Sequence, residues 1–301
     1  MMHAARRTTA AARLATLAVL TCAAGIAGDV TAQRGFDRSQ FDFDDRGGVP
    51  DWGNEPQFAD DVFTFARVQW SSGGRWGRGY GRRGRWATDY PDSDNNFSYR
   101  LQQLTSLKVN PRPVIVRLTD DELFDYPFIY MIEPGDLVFS QAEAEALRRY
   151  LLSGGFLMVD DFWGDYEWAT FEREIKRVFP TRPLVELPAD HEIFSCVYRL
   201  TEKPQVCSYD RARQFRDSEG RVIPGYEAVT WEDERRHGDC RTVHYKGIFD
   251  DKGRMMAIIC HNTDLGDGWE REGNAEWYFS EFAENKSYPM GINIVVYAMT
   301  H

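Results

Sequence analysis

The stretch "SQAEAEALRRYLLSGGFLMVDDFWG", residues 140–164, restricts what this chain can fold into more than any other. Ser140 followed three residues later by Glu143 is a capping box, so a helix starts here. Ala144, Leu147 and Leu151 fall on one helical face, and Gly154-Gly155 supplies a left-handed stop. Phe156 to Val159 is then apolar without alternation, the pattern of a strand covered on both faces. It ends on Asp160-Asp161. A helix delivered straight into a fully buried strand predicts an α/β fold built on a parallel sheet.

The remaining pattern agrees. "DVFTFARVQW" alternates as a first strand. Ser93 or Asp94 is placed to cap a helix whose inner face is Phe97, Leu101 and Leu104. "RPVIVRL" and "PFIYMIE" have the length of buried strands, and Trp168, Phe171, Ile175 and Val178 recur at helical spacing. From about Val185 the character changes. "HEIFSCVYRL" and "RTVHYKGIFDDKGRMMAIICHN" read as β structure, the second as a hairpin around Asp-Lys-Gly. "SYPMGINIVVYAMTH" suits a helix entered through Pro289, although Ile294-Val295-Val296 also suits a strand. The expectation is a mostly parallel central sheet with a β-hairpin-rich C-terminal half.

The N-terminus, "MMHAARRTTAAARLATLAVLTCAAGIAGDVTAQ", has a basic start, a short apolar segment and small residues at Val30-Thr31-Ala32. This reads as a signal peptide over residues 1–32, too short to span a bilayer stably, and places the protein in the periplasm or outside the cell. Apolar residues do not follow Arg6-Arg7, which favours general secretion over twin-arginine export, and Thr21 before Cys22 argues against lipidation. Residues 33–59 read as a polar linker or N-terminal arm, and 60–301 as the domain. No later segment is apolar and long enough to cross a membrane. Cys196, Cys207, Cys240 and Cys260 match no zinc spacing; an oxidising compartment leads to the expectation of one structural disulfide, with the pairing open and Cys196–Cys207, across a short connection, one of the choices.

Between Ser71 and Trp86 lie five arginines, six glycines and three aromatics with no carboxylate. Such segments bind single-stranded nucleic acid by phosphate attraction and base stacking. The chain's net charge is −11, and its first 32 residues carry three arginines against one aspartate, so the remainder carries −13. A body that acidic repels phosphate backbones, and no nucleic-acid partner is expected. Lying after the first strand, the loop should border the crevice that open parallel sheets form beyond their strand C-termini.

"DDFWG", "LPADHEIF", "GRMMAIICHNTDLGDGWE" and "MGINIVVYAMTH" resemble the bacterial family called domain of unknown function 4159, over about Asp60 to His301. The resemblance implies a flavodoxin-like, class I glutamine amidotransferase-like three-layer sandwich. Amidotransferase chemistry needs a cysteine on a strand-to-helix elbow within G-x-C-x-G and a later His-x-Glu. Here the cysteines lie in "FSCVY", "QVCSY", "GDCRT" and "IICHN", none flanked by glycines, so glutaminase activity is not expected.

The candidate ligand-binding residues are Asp92, Asp160, Asp161, Trp163, His191, His261, Asn262, Asp264 and Trp269. Each also has a structural reading: caps and turns for the carboxylates, a backbone-bonding turn for His191, ordinary turn chemistry for "NTDLGDG", core packing for the tryptophans. Asp160, Asp161 and His191 are expected to converge in one pocket. No i,i+4 histidine pair or EF-hand spacing is present, and neither a metal nor a cofactor is expected. The leading expectation is a non-glutaminase protein that binds a small molecule, glycan or envelope partner in the crevice. The alternative is a hydrolase pairing Asp160 or Asp161 with His191 or His261 as acid and base.

Overall fold

The computed structural model describes residues 46–58, 61–72 and 84–301. Most of the arginine loop and the N-terminal segment therefore lie outside the described residues.

Seven strands form one mixed sheet: β1 (Ala66–Val68), β2 (Val114–Val116), β3 (Phe128–Ile132), β4 (Phe156–Asp160), β5 (Val185–Glu186), β6 (His244–Phe249) and β7 (Met255–His261). Their spatial order is β2-β1-β3-β4-β7-β6-β5. The first five in that order are mutually parallel, while β6 runs antiparallel to both β7 and β5. The chain leaves β1 in one direction for β2 and returns on the other side for β3. The direction of the strand order therefore reverses between β1 and β3, the point beyond whose strand C-termini open α/β sheets form their crevice.

Strand side chains alternate between two buried faces. Phe65, Phe128, Tyr130, Phe156, Met158 and Ile258 join one core with Phe97, Leu101 and Ile292 of the helices α1 (Asp92–Leu104) and α5 (Tyr288–Thr300). Ile129, Met131, Leu157 and Val159 are equally buried on the alternate positions. The helices α2 (Gln141–Leu152) and α3 (Gly164–Val178) pack on one another beside β4, with Leu147, Leu151, Phe171, Ile175 and Val178 inside. The short helix α4 (Leu265–Glu270) follows β7 and packs on α1.

The Ser140–Glu143 capping box and the glycine stop are present, Gly154 having φ 113°. The hairpin β6–β7 turns at Asp250–Gly253, as its Asp-Lys-Gly signal requires. Three local expectations need correction. Ser93 and Asp94 are not caps, because both side chains bind the buried Arg67. The segment 191–200 is not a strand: it forms a short 3-10 turn, and the Asn293 side chain bonds the backbone of Val197 and Tyr198. Of the two readings of the C-terminal apolar run, the helix entered through Pro289 is the one observed. All four described cysteines are free thiols, which removes the expected disulfide, the Cys196–Cys207 choice included; Cys196 is exposed and Cys207 buried. Among the described residues no helix is long and apolar enough to cross a membrane.

Candidate functional site

Among the described residues four that are not glycine adopt left-handed backbone conformations: Asp89 (φ 61°), Glu133 (φ 49°), Asp161 (φ 55°) and Asn262 (φ 61°). Such residues are uncommon, and a fold retains them where surrounding structure fixes them. Here Glu133, Asp161 and Asn262 each follow directly on the last residue of β3, β4 and β7. Asp89 ends the long connection from β1 and precedes α1. Four strand-end loops thus turn sharply around one crevice, and three of the four residues are acids.

Arg67, in the middle of β1, holds the first of these loops. It is wholly buried, and its guanidinium takes Asp94 through Nε and Nη2, Ser93 through Nη2, and the carbonyls of Trp86 and Thr88 through Nη1. Its face lies 5.1 Å over the Tyr130 ring. Arg85, the one loop arginine among the described residues, is also turned inward. It bonds Glu133 at 2.7 Å and Glu167 at 2.9 Å.

Asp160 is wholly buried. Its Oδ2 accepts from the backbone amides of Leu265 and Gly266 at 2.9 and 3.0 Å and from the Tyr130 hydroxyl at 3.2 Å, while Oδ1 has no partner. Asp161 accepts a hydrogen bond from Trp163 Nε1 at 3.0 Å. Asp264 caps α4 by accepting from Asp267 N at 2.7 Å. Oxygens of Asp89, Asp161 and Asp264 lie within 4.8 Å of one another, and a second group joins Asp89 to Asp267 and Glu270. These two groups are the places where the site has the donors for a cation.

The electrostatics follow from burying so many acids together. Burial raises Asp160 to about 7 against its backbone hydrogen bonds, and raises Glu133 to about 7 despite Arg85. Glu270 is also pushed up to about 7, by burial and then by Asp267. Asp89, Asp161 and Asp264 are raised well above the usual carboxylate range, by burial first and then by neighbouring acids: Asp267 for Asp89, Glu133 for Asp161, Asp161 for Asp264. Each step is the expected response to desolvation and like charge.

The other sequence candidates fall in different places. His191 does not join Asp160 and Asp161. It caps the turn at Ile193, its ring 5.9 Å from Tyr297, and Tyr297 in turn faces Phe156, the opposite end of β4 from Asp160. The helix α5 runs back along the sheet and carries Tyr297 there. His261 packs its ring against both Phe162 and Trp168, bonds the Gly164 carbonyl, and is driven by burial to a pKa of about 3. It stays neutral and does not carry protons near pH 7. Asn262 is a brace, accepting from Gly164 N and donating to the carbonyls of Asp239 and Thr242. Trp269 is core, 4.3 Å from the Phe97 ring, and Trp163 is nearly buried, so neither offers a face to a sugar ring. Asp92 opens α1 and acts electrostatically on Glu270.

Sequence reasoning missed Asp89, Glu133, Asp267 and Glu270. Glu133 carried the same signal as Asp160, a carboxylate directly at the end of a buried apolar run.

Residues 64–299 match the model of a family described as a domain of unknown function, DUF4159. No curated protein matches the chain.

Proposed function

The chain belongs to the DUF4159 family, and on that premise we propose that it is a binding protein. Its crevice beyond the C-terminal ends of β1, β3, β4 and β7 takes a small, hydroxyl-rich or cationic ligand through carboxylates. The observation that carries this reading is the set of acids held in left-handed turns at adjacent strand ends. Strain kept at one place in a fold is a mark of a site. The acids repel anionic ligands and accept hydrogen bonds from hydroxyl or ammonium groups. A sugar or amino sugar is the simplest ligand of that kind.

The order β2-β1-β3-β4, with β7 in the fifth place, supports a flavodoxin-like, amidotransferase-related fold. The N-terminal 32 residues support a periplasmic or secreted location, where glycans and envelope proteins are the available partners. Absence of glutaminase activity is supported by the cysteines: Cys207, Cys240 and Cys260 are buried, and burial pushes each thiol above its ordinary range.

One observation favours a hydrolase as second reading. Asp161 stands on a left-handed strand-to-helix elbow between β4 and α3, the kind of turn that presents a nucleophile. With His191 and His261 committed elsewhere, its acid–base partner would be a second carboxylate.

Calorimetric titration of the purified chain with neutral sugars, amino sugars and uronic acids tests the binding reading. Saturable binding of neutral or amino sugars, lost in Asp161→Asn, is the expected result. Preferential binding of the uronic acids, or binding indifferent to Asp161→Asn, overturns it. Turnover of a glycoside that Asp161→Asn abolishes favours the hydrolase.

A further inference from the structure

We propose that Asp89, Asp161 and Asp264 together hold a hard divalent cation, Ca²⁺ or Mg²⁺ in type, at the floor of the crevice. The inference rests on the binding reading above and names the chemistry its carboxylates are built for.

Three observations carry it. First, one oxygen from each of the three side chains lies within 4.8 Å of the others. Two oxygens on one Ca²⁺ at about 2.4 Å are at most about 4.8 Å apart, so every pair of the three lies within the span that one ion bridges. The donors come from three separate loops, after β1, β4 and β7, so the grouping is a product of the tertiary fold.

Second, polar atoms at this place are left unpartnered. Asp89 Oδ2 is buried and accepts no hydrogen bond, and neither does Oδ1 of the wholly buried Asp160. Both acids meet at Gly266. Asp160 Oδ2 accepts from its amide at 3.0 Å, and a Cβ added to it would lie 2.9 Å from Asp89 Oδ2 and 2.8 Å from the Tyr130 hydroxyl. Buried carboxylate oxygens without donors are costly, and a cation removes that cost directly.

Third, the neighbouring cationic side chains among the described residues are engaged elsewhere. Arg67 is saturated by Asp94, Ser93 and two carbonyls. Arg85 holds Glu133 and Glu167, and Arg271 holds Asp267 and Glu270. Among the described residues no ion pair reaches Asp161 or Asp264. The donor set contains only carboxylates, which select Ca²⁺, Mg²⁺ or Mn²⁺ over softer ions.

The test uses the full chain after treatment with a chelator. Calorimetry and thermal melting are followed with CaCl₂, MgCl₂ and MnCl₂, with NaCl at matched ionic strength as control. One-site binding is expected, with a rise in melting temperature that NaCl does not reproduce. Asp161→Asn and, separately, Asp89→Asn should weaken the cation at least tenfold. Each amide should also raise the melting temperature of the cation-free protein at pH 8, because it never has to ionise among the crowded acids. A purely structural carboxylate would lower it. No binding at millimolar cation, or binding unchanged in both variants, overturns the proposal, the latter assigning it to surface acids. If the sugar binding described above persists in chelator and still depends on Asp161, the cation is wrong and the binding crevice stands.

Discussion

Arg67 directs its guanidinium donors into the end of the β1–α1 connection and the first turn of α1, and so ties the strand to the segment that carries Asp89. Removing one partner of a buried pair strands the other charge in a medium that cannot solvate it, at a cost of about 3–5 kcal/mol. Arg67→Met should therefore lower the unfolding free energy by about that amount in urea denaturation, and the double variant with Asp94→Leu should recover part of it. A loss under about 1 kcal/mol would mean that Asp94 is rehydrated in the variant. Little of this was legible in advance. An arginine inside "FTFARVQW" looks like the solvent face of an alternating strand, and only the fold brings Asp94, 27 residues on, to meet it. His191 failed for a related reason: a motif records neighbours in the chain, whereas Tyr297 decides which end of the sheet it occupies.

At the scale of elements, the local signals were legible wherever hydrogen bonds close within a few residues. The capping box at Ser140 and the Asp250–Gly253 turn are such cases, and Ser140→Ala should cost about 1 kcal/mol in thermal or urea unfolding. The turn at the end of β4 is of another kind. Gly164 begins α3 with φ 70°, and an added Cβ would overlap the His237 carbonyl oxygen, which is backbone and cannot swing aside. Gly164→Ala should therefore destabilise by clearly more than the cap variant, about 2 kcal/mol or above, since left-handed strain and a backbone shift act together. Equal losses in the two variants would show that the chain after His237 gives way easily. The strand-end location of the site was legible too, because Asp160-Asp161 interrupts an apolar run. Its full membership was not, since the acids arrive from four loops.

Over the whole molecule the question is how a chain already carrying −13 beyond residue 32 tolerates a buried cluster of acids. In the absence of a cation, protons are the available answer. Glu133, Asp160 and Glu270 titrate at about 7 in the folded state, and Asp89, Asp161 and Asp264 are raised well above the usual carboxylate range. Unfolded, such groups titrate at about 4. Between those values the folded state binds more protons, so the stability they provide is present below about pH 4 and is lost as pH rises through 7. His261 acts in the opposite direction, because its folded pKa of about 3 costs stability as pH falls below about 6.5. It is one group against six. In chelator, the melting temperature should therefore be higher at pH 5.5 than at pH 8 by at least about 4 °C, the equivalent of roughly 2 kcal/mol for a domain of this size. Repulsion among ordinary surface carboxylates cannot imitate this, since they are fully ionised by about pH 5.5 and contribute no further slope. Glu133→Gln should flatten the dependence by removing one titrating group while leaving the three proposed cation ligands intact. A profile that is level between pH 5.5 and 8, or that rises, would mean the buried acids are ionised in the folded protein at neutral pH.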